Sequence, residues 1–160
     1  MQGQSRRSLR ERLTTRLAHL SFLVTRPLTL GVRAAVIGDD GAVLLVKHSY
    51  VSGWHMPGGG VEVGETCETA LARELAEEAN VVVDEPPRLH GLFFNGRVSR
   101  RDHVAVYVAR RFRVLGPRAP DREILEARFF PRDALPPEVT GATRARLAEI
   151  FDGVPVAPRW

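Results

Sequence analysis

Residues 59–81 read GGVEVGETCETALARELAEEANV, and in them Glu74, Glu77 and Glu78 stand at i, i+3 and i+4. On a helix that spacing crowds three carboxylates onto one face. Like charges so placed cost roughly 0.2–0.5 kcal/mol per exposed pair, a repulsion that becomes an attraction around a hard divalent cation. Mg²⁺ takes oxygen ligands, usually keeps several waters and adds substrate phosphates. Arg73 lies four residues before Glu77, so its guanidinium can brace a carboxylate from the side. Glu65 is close enough in sequence to join that network.

The flanks agree with a helix over 67–79. Thr66 is an N-cap candidate, and Glu65 and Glu68 sit where the helix dipole favours anions. Leu71, Ala72, Leu75 and Ala79 are expected to face a core, with the glutamates elsewhere. Gly58, Gly59 and Gly60 allow close approach of backbone to a metal. Asn80 stands where the helix should stop, and asparagine is second only to glycine in tolerating the left-handed region.

The stretch closely resembles the box of the Nudix hydrolases: Gly, five residues, Glu, seven residues, Arg-Glu, an apolar residue, any residue, Glu-Glu, any residue, Gly, an apolar residue. Gly59, Glu65, Arg73, Glu74, Leu75, Glu77, Glu78 and Val81 fall on that spacing, and only the final glycine departs, as Asn80. Because the family's glycine serves the backbone, Asn80 reads as a conservative change. The resemblance implies an α/β protein, an α/β/α sandwich with a mixed β-sheet and a loop–helix–loop catalytic motif.

It also implies hydrolysis of a nucleoside diphosphate linked to a further group X, with Mg²⁺ as cofactor and Mn²⁺ as its substitute. A nucleotide pyrophosphatase that sanitises nucleoside triphosphates is one form of that activity. By the same resemblance Glu74, Glu77, Glu78 and the Gly58 carbonyl are metal ligands. Glu77 or Glu74 is the general base, and Arg73 and Glu65 complete the catalytic set. Glu123 and Glu126, in DREILEARFF, could add a ligand or base from a loop.

Substrate contacts are expected from Gly59, Gly60, Arg33, Trp54, Phe93, Asn95 and Glu123. Aromatic faces stack on bases, asparagine reads base edges and arginine holds phosphates. Trp54 also suits a core anchor, and Phe93 and Phe94 point to opposite faces of a strand, so one of them belongs inside. His48, His90 and His103 lack metal-ligand spacing and read as structural or surface residues. The proline and tyrosine that mark ADP-ribose and dinucleoside-polyphosphate cleavers past the box are replaced here by Gly96, Arg97, Val98 and Ser99.

Around the box, TLGVRAAVIGDDGAVLLVKHS reads as two strands joined at Asp39-Asp40-Gly41. VVVDEPP, RLHGLFFNG and HVAVYVARRFRV read as three more strands, and EARFFPRDALPPEV as a short strand and turn. TGATRARLAEIFD reads as a closing helix capped by Thr140 or Thr143, and GVPVAPRW as a loose tail. The domain plan is a basic arm over 1–27, a Nudix domain over 28–152 and a tail over 153–160.

Bulk properties limit the alternatives. A chain of 160 residues with 44% hydrophobic and 26% charged residues suits one soluble domain. No apolar run approaches the roughly 20 residues a spanning helix needs, and LAHLSFLV lacks a cleavage site before Arg26-Pro27, so it reads as mature protein. The single Cys67 fits a reducing cytoplasm.

The net charge of +4 comes from residues 1–27, which carry +5 (six arginines, one glutamate), leaving −1 elsewhere. Basicity thus belongs to an arm, and a small-molecule nucleotide rather than nucleic acid is the expected partner. Leu9, Leu13, Leu17 and Leu20 make that arm an amphipathic helix. It would pack on its own domain, on the partner subunit of a homodimer, or through residues 5–24 on a membrane surface. Two other readings stand beside the hydrolase: an RNA 5′-end pyrophosphohydrolase and a nucleotide sensor that does not cleave. Sensors usually lose box glutamates, and here Glu65, Glu74, Glu77 and Glu78 are all present.

Overall fold

The computed structural model describes Ser21 and residues 25–160. The expected arm helix therefore lies outside the described residues. In chain order the elements are β1 (Thr29–Val36), β2 (Val43–His48), β3 (Trp54–His55), α1 (Cys67–Ala79), β4 (Val81–Val83), β5 (Arg88–Phe94), β6 (Asp102–Ala109), β7 (Phe112–Val114) and β8 (Ile124–Phe130), then a 3₁₀ turn (Arg132–Ala134) and α2 (Gly141–Asp152).

Alternation along β1 places the layers. Val32, Ala34 and Val36 pack with Leu71, Leu75 and Ala79 of α1, while Ala35 faces the opposite cluster with Phe93, Val106 and Leu147 of α2. Both faces of the strand are buried, as expected of a sheet covered on two sides. β1 runs parallel to β6, which pairs antiparallel with β5, so this sheet is mixed. A second sheet has the order β3-β2-β8, and β4 pairs with β7. The result is the expected α/β/α arrangement. Among the described residues no helix is long and apolar enough to cross a membrane.

Local chemistry explains the ends of α1. Thr66 Oγ1 accepts from the Thr69 N–H at 3.1 Å, and Asn80 takes the left-handed form with φ 52° and ψ 36°. The buried face differs from expectation at one position. Ala72 is exposed and Ala70 is buried, because the stripe through Leu71, Leu75 and Ala79 continues toward Glu78.

Three further expectations are corrected. The strands flanking Asp39-Asp40-Gly41 meet only at an Ile37–Val43 bridge before parting into different sheets. HVAVYVARRFRV is two strands, broken at Arg110-Arg111 so that β7 can leave β6 and join β4. The last residues are not a loose tail. The Phe94 N–H donates to the Pro158 carbonyl at 3.0 Å, and the Trp160 N–H to the Phe94 carbonyl at 3.1 Å. Arg146, buried in α2, donates to the Arg159 carbonyl at 2.9 Å and to Glu149, with its guanidinium 4.1 Å from the Phe93 ring centre. Glu149 in turn accepts from the Ala157 N–H at 2.9 Å and lies 2.8 Å from His90 Nε2. Thr140 rather than Thr143 caps this helix.

Candidate active site

The glycine loop is laid along β1 by backbone bonds. Val32 N–H donates to the Gly59 carbonyl at 2.8 Å, Ala34 N–H to Pro57 at 2.9 Å and Val61 N–H to Leu30 at 2.9 Å. This presses the loop between the strand and the acidic face of α1. At Gly58, φ is 138° and a Cβ would collide with the Val32 carbonyl and lie 2.9 Å from Arg33 Cα. At Gly59 a Cβ would collide with Glu74 Oε1 and lie 2.8 Å from Oε2. Glycine is needed at the first for backbone reasons and at the second to leave room for a carboxylate.

Arg73 is the hub of the acidic wall. Its Nε and Nη2 grip Glu65 at 3.0 and 3.1 Å, and Nη1 reaches Glu74 Oε1 at 2.7 Å. Nη2 also donates to the Gly60 carbonyl at 3.1 Å. Glu77, expected as the braced partner, is only 3.5 Å from Nη1 and its side chain is 61% exposed. The Arg73 bonds, then the Glu62 N–H, hold the Glu65 carboxyl below its ordinary range.

Glu78 is buried, and its carboxyl is pushed up to about 7, chiefly by loss of solvent. The Gly58 N–H, donating at 2.8 Å, and the Arg33 charge oppose that rise, while Glu74 and Glu123 add to it. Behind it lies His48, whose Nε2 is 3.6 Å from Glu78 Oε1. Burial, then Arg33 and His55, lower the His48 ring to about 4, so it is neutral near pH 7. Neither of its buried nitrogens has a hydrogen-bond partner. Sequence spacing gave no hint of it, since His48 ends β2, far from Glu78 in the chain, and only the fold brings the two together.

The glutamates line one side of a cavity of about 600 Å³. Gly58, Gly59, Gly60 and Arg33 border it, and Arg118, Asp121 and Glu123 come from the loop after β7. Glu123 therefore does join the box residues, and Arg118 and Asp121, which no motif in the sequence marks, join with it. Among the described residues no three His, Cys, Asp or Glu groups already converge on one point. Glu74 is turned onto Arg73, and Glu78 onto the Gly58 N–H. The donor set, carboxylate oxygens beside glycine backbone, has the chemistry of a hard divalent cation site.

A second cavity of about 340 Å³ shares Arg33, Gly59 and Gly60 with the first. Asn95 lines it, donating from Nδ2 to Asp102 Oδ2 at 2.8 Å, and Asp102 also accepts from Thr29 Oγ1 at 2.6 Å. Trp160 forms part of its wall. Trp54 and Phe93, expected at the substrate, line neither of these cavities. They are 4% and 0% exposed in the core, where Trp54 meets Phe130 edge-on and Phe93 meets Trp160. The inward alternation of their strands decides this.

A family model described as NUDIX domain matches residues 27–150. Among solved structures, a MutT NUDIX hydrolase from Burkholderia pseudomallei aligns at 28% identity and a TM-score of 0.63, over 77% of this chain and 98% of that one. An ADP-ribose pyrophosphatase from Streptococcus suis aligns at 25% identity and a TM-score of 0.59, over 82% of this chain and 97% of that one. A MutT-like protein of Streptomyces ambofaciens is 36% identical over 67 residues, 42% of this chain and 43% of that protein. The aligned segments span 16% and 34% of relatives from Caenorhabditis elegans and Bacillus subtilis. The matches thus cover less than half the length of these curated relatives.

Proposed function

Because the chain belongs to the NUDIX domain family, we propose that it is a pyrophosphohydrolase that cleaves the diphosphate linkage of a nucleoside diphosphate joined to a further group. One observation carries the proposal. The three helix carboxylates, Arg73 (held from behind by Glu65), the glycine cradle and Arg33 all line a single cavity. Glu74, Glu77, Glu78 and the Gly58 carbonyl would hold Mg²⁺, or Mn²⁺ in its place. When bound, the cation would neutralise phosphate charge and acidify a water.

The chain's own groups supply the rest. Water adds in line to one phosphorus, the bridging P–O bond breaks, and the water's proton needs an acceptor. Glu77 is the best placed acceptor, since Arg73 pins Glu74 at 2.7 Å and the Gly58 N–H pins Glu78 at 2.8 Å. Arg33, anchored to the Met56 carbonyl at 3.0 Å, borders both cavities and would hold a phosphate between them. The second cavity, with Trp160 and the Asn95–Asp102 pair, suits a base. The retained glutamates favour catalysis over a sensor role. A nucleoside triphosphate, a small partner in a reducing cytoplasm, is the substrate class we would try first.

The test is product formation from nucleoside triphosphates, ADP-ribose, dinucleoside polyphosphates and nucleotide sugars, with Mg²⁺, with EDTA, and with Glu78→Gln. The expected result is metal-dependent cleavage reduced by about two orders of magnitude in the variant. Cleavage indifferent to EDTA and to Glu78→Gln would remove the reading.

A further inference from the structure

Asn80 is where the box departs from the family glycine. Its backbone, at φ 52° and ψ 36°, is in a form that glycine would adopt with less strain. The helix end alone therefore does not call for asparagine. Its side chain has other partners: Nδ2 donates to the Pro117 carbonyl at 3.1 Å and lies 3.5 Å from the Gly116 carbonyl. The β4–β7 ladder delivers those carbonyls, with Val81 opposite Val114 and the Leu115 N–H donating to the Asn80 carbonyl at 2.9 Å.

Beyond Gly116 (φ 150°) the chain turns back over the cavity. Arg118 Nε donates to the Glu77 carbonyl at 2.7 Å, supplying a cation to the end of a helix that has no basic residue in its own last turn. Arg118 also pairs with Asp121. Asp121 Oδ1 accepts from the N–H groups of Glu123 and Ile124, each at 2.8 Å. This chain of contacts runs from Asn80 to Glu123 on the cavity wall.

We propose that Asn80 is a positioning residue: its carboxamide clasps residues 115–123 to the end of the acidic helix, and so presents Glu123 to the reaction cavity. The effect on turnover rests on the hydrolase reading above, whereas the clasp stands on the contacts themselves. Two variants separate the backbone role from the clasp. Asn80→Gly keeps the helix end without a side chain. Asn80→Asp keeps size and backbone tolerance but replaces the donor with an acceptor facing two carbonyls.

Hydrogen exchange on the metal-free, substrate-free full chain reads the clasp directly. In both variants amides in 115–123 should exchange about tenfold faster, the worth of one lost hydrogen bond, while residues 67–79 keep their protection. With the best substrate of the panel and Mg²⁺, Asn80→Gly should lower kcat by a similar factor of about ten and move KM less. In a Glu123→Gln background Asn80→Gly should add nothing further. Unchanged exchange over 115–123 would overturn the proposal. So would a loss in turnover of equal size with and without Glu123, since Asn80 would then act through the helix. If the panel shows no hydrolysis at all, the reading of the site fails, while faster exchange still upholds the clasp and unchanged exchange still removes it.

Discussion

Two adjacent glycines should fail in opposite ways when given a methyl group. At Gly58 the new Cβ meets backbone: it would overlap the Val32 carbonyl and sit 2.9 Å from Arg33 Cα, at a φ of 138°. Backbone fixed in a sheet cannot step aside, and that φ costs a side-chain-bearing residue about 1–3 kcal/mol before any clash is counted. With the clash, Gly58→Ala should lose about 3 kcal/mol or more, which lowers Tm by about 10 °C for a chain of this size. At Gly59 the Cβ meets only the Glu74 carboxylate, 2.8 Å away at Oε2. That side chain can swing off Arg73 at a cost of about 1 kcal/mol, because the pair is partly solvated and one rotamer changes.

Gly59→Ala should therefore melt within about 4 °C of the wild type. Its turnover should nevertheless fall by about 100-fold, the usual consequence of moving a reacting-centre group by an ångström. Thermal unfolding followed by circular dichroism, alongside nucleotide cleavage with Mg²⁺, measures both. Full activity in Gly59→Ala would refute the placement of Glu74 at the reaction. A melting loss equal to that of Gly58→Ala would refute the distinction between backbone and side-chain contact.

Two further expectations concern the far end of the sheet. Burial pushes the Glu149 carboxyl up, but bonds from Arg146, the Ala157 N–H and His90 outweigh it and hold the group below its ordinary 4.5. A depressed carboxyl contributes stability above its unfolded pKa and loses it as pH falls through the folded one. Urea midpoints of the wild type should thus drop more steeply as pH falls below about 5 than those of Glu149→Gln, and parallel slopes would contradict the assignment. Deleting residues 158–160 removes both bonds to Phe94 and the Arg146–Arg159 bond. Stability should fall by about 2–4 kcal/mol, seen as a Tm lowered by about 5–15 °C, and an unchanged Tm would mean that the tail does not hold the sheet edge.

The acidic helix was legible because its information is local. Thr66, the i, i+3, i+4 glutamates and the left-handed Asn80 act within a few residues of one another, and helical spacing fixes their relative directions whatever the rest of the chain does. The same is true of the strands, which were legible as β-branched apolar runs bounded by turn residues, although the covering of both faces of β1 was not. The single extended run to Val114 misled because nothing local says where a strand changes partners. β7 leaves β6 to pair with β4, and that choice depends on a segment some thirty residues earlier in the chain.

Taken alone, the amino-acid sequence determined the helix that carries the carboxylates and the oxygen-donor character of its face, which follow from spacing and residue chemistry, whereas the class of fold followed from the resemblance of that stretch to the Nudix box. Only the tertiary structure decided which residues stand around those carboxylates. It put Glu123 on the same cavity as the box glutamates, His48 behind Glu78 and Trp160 beside Asn95, and it buried Trp54 and Phe93 instead. Those neighbours are far apart in the chain. Their meeting is set by sheet order and by the packing of two helices on it, quantities that no short window of sequence contains.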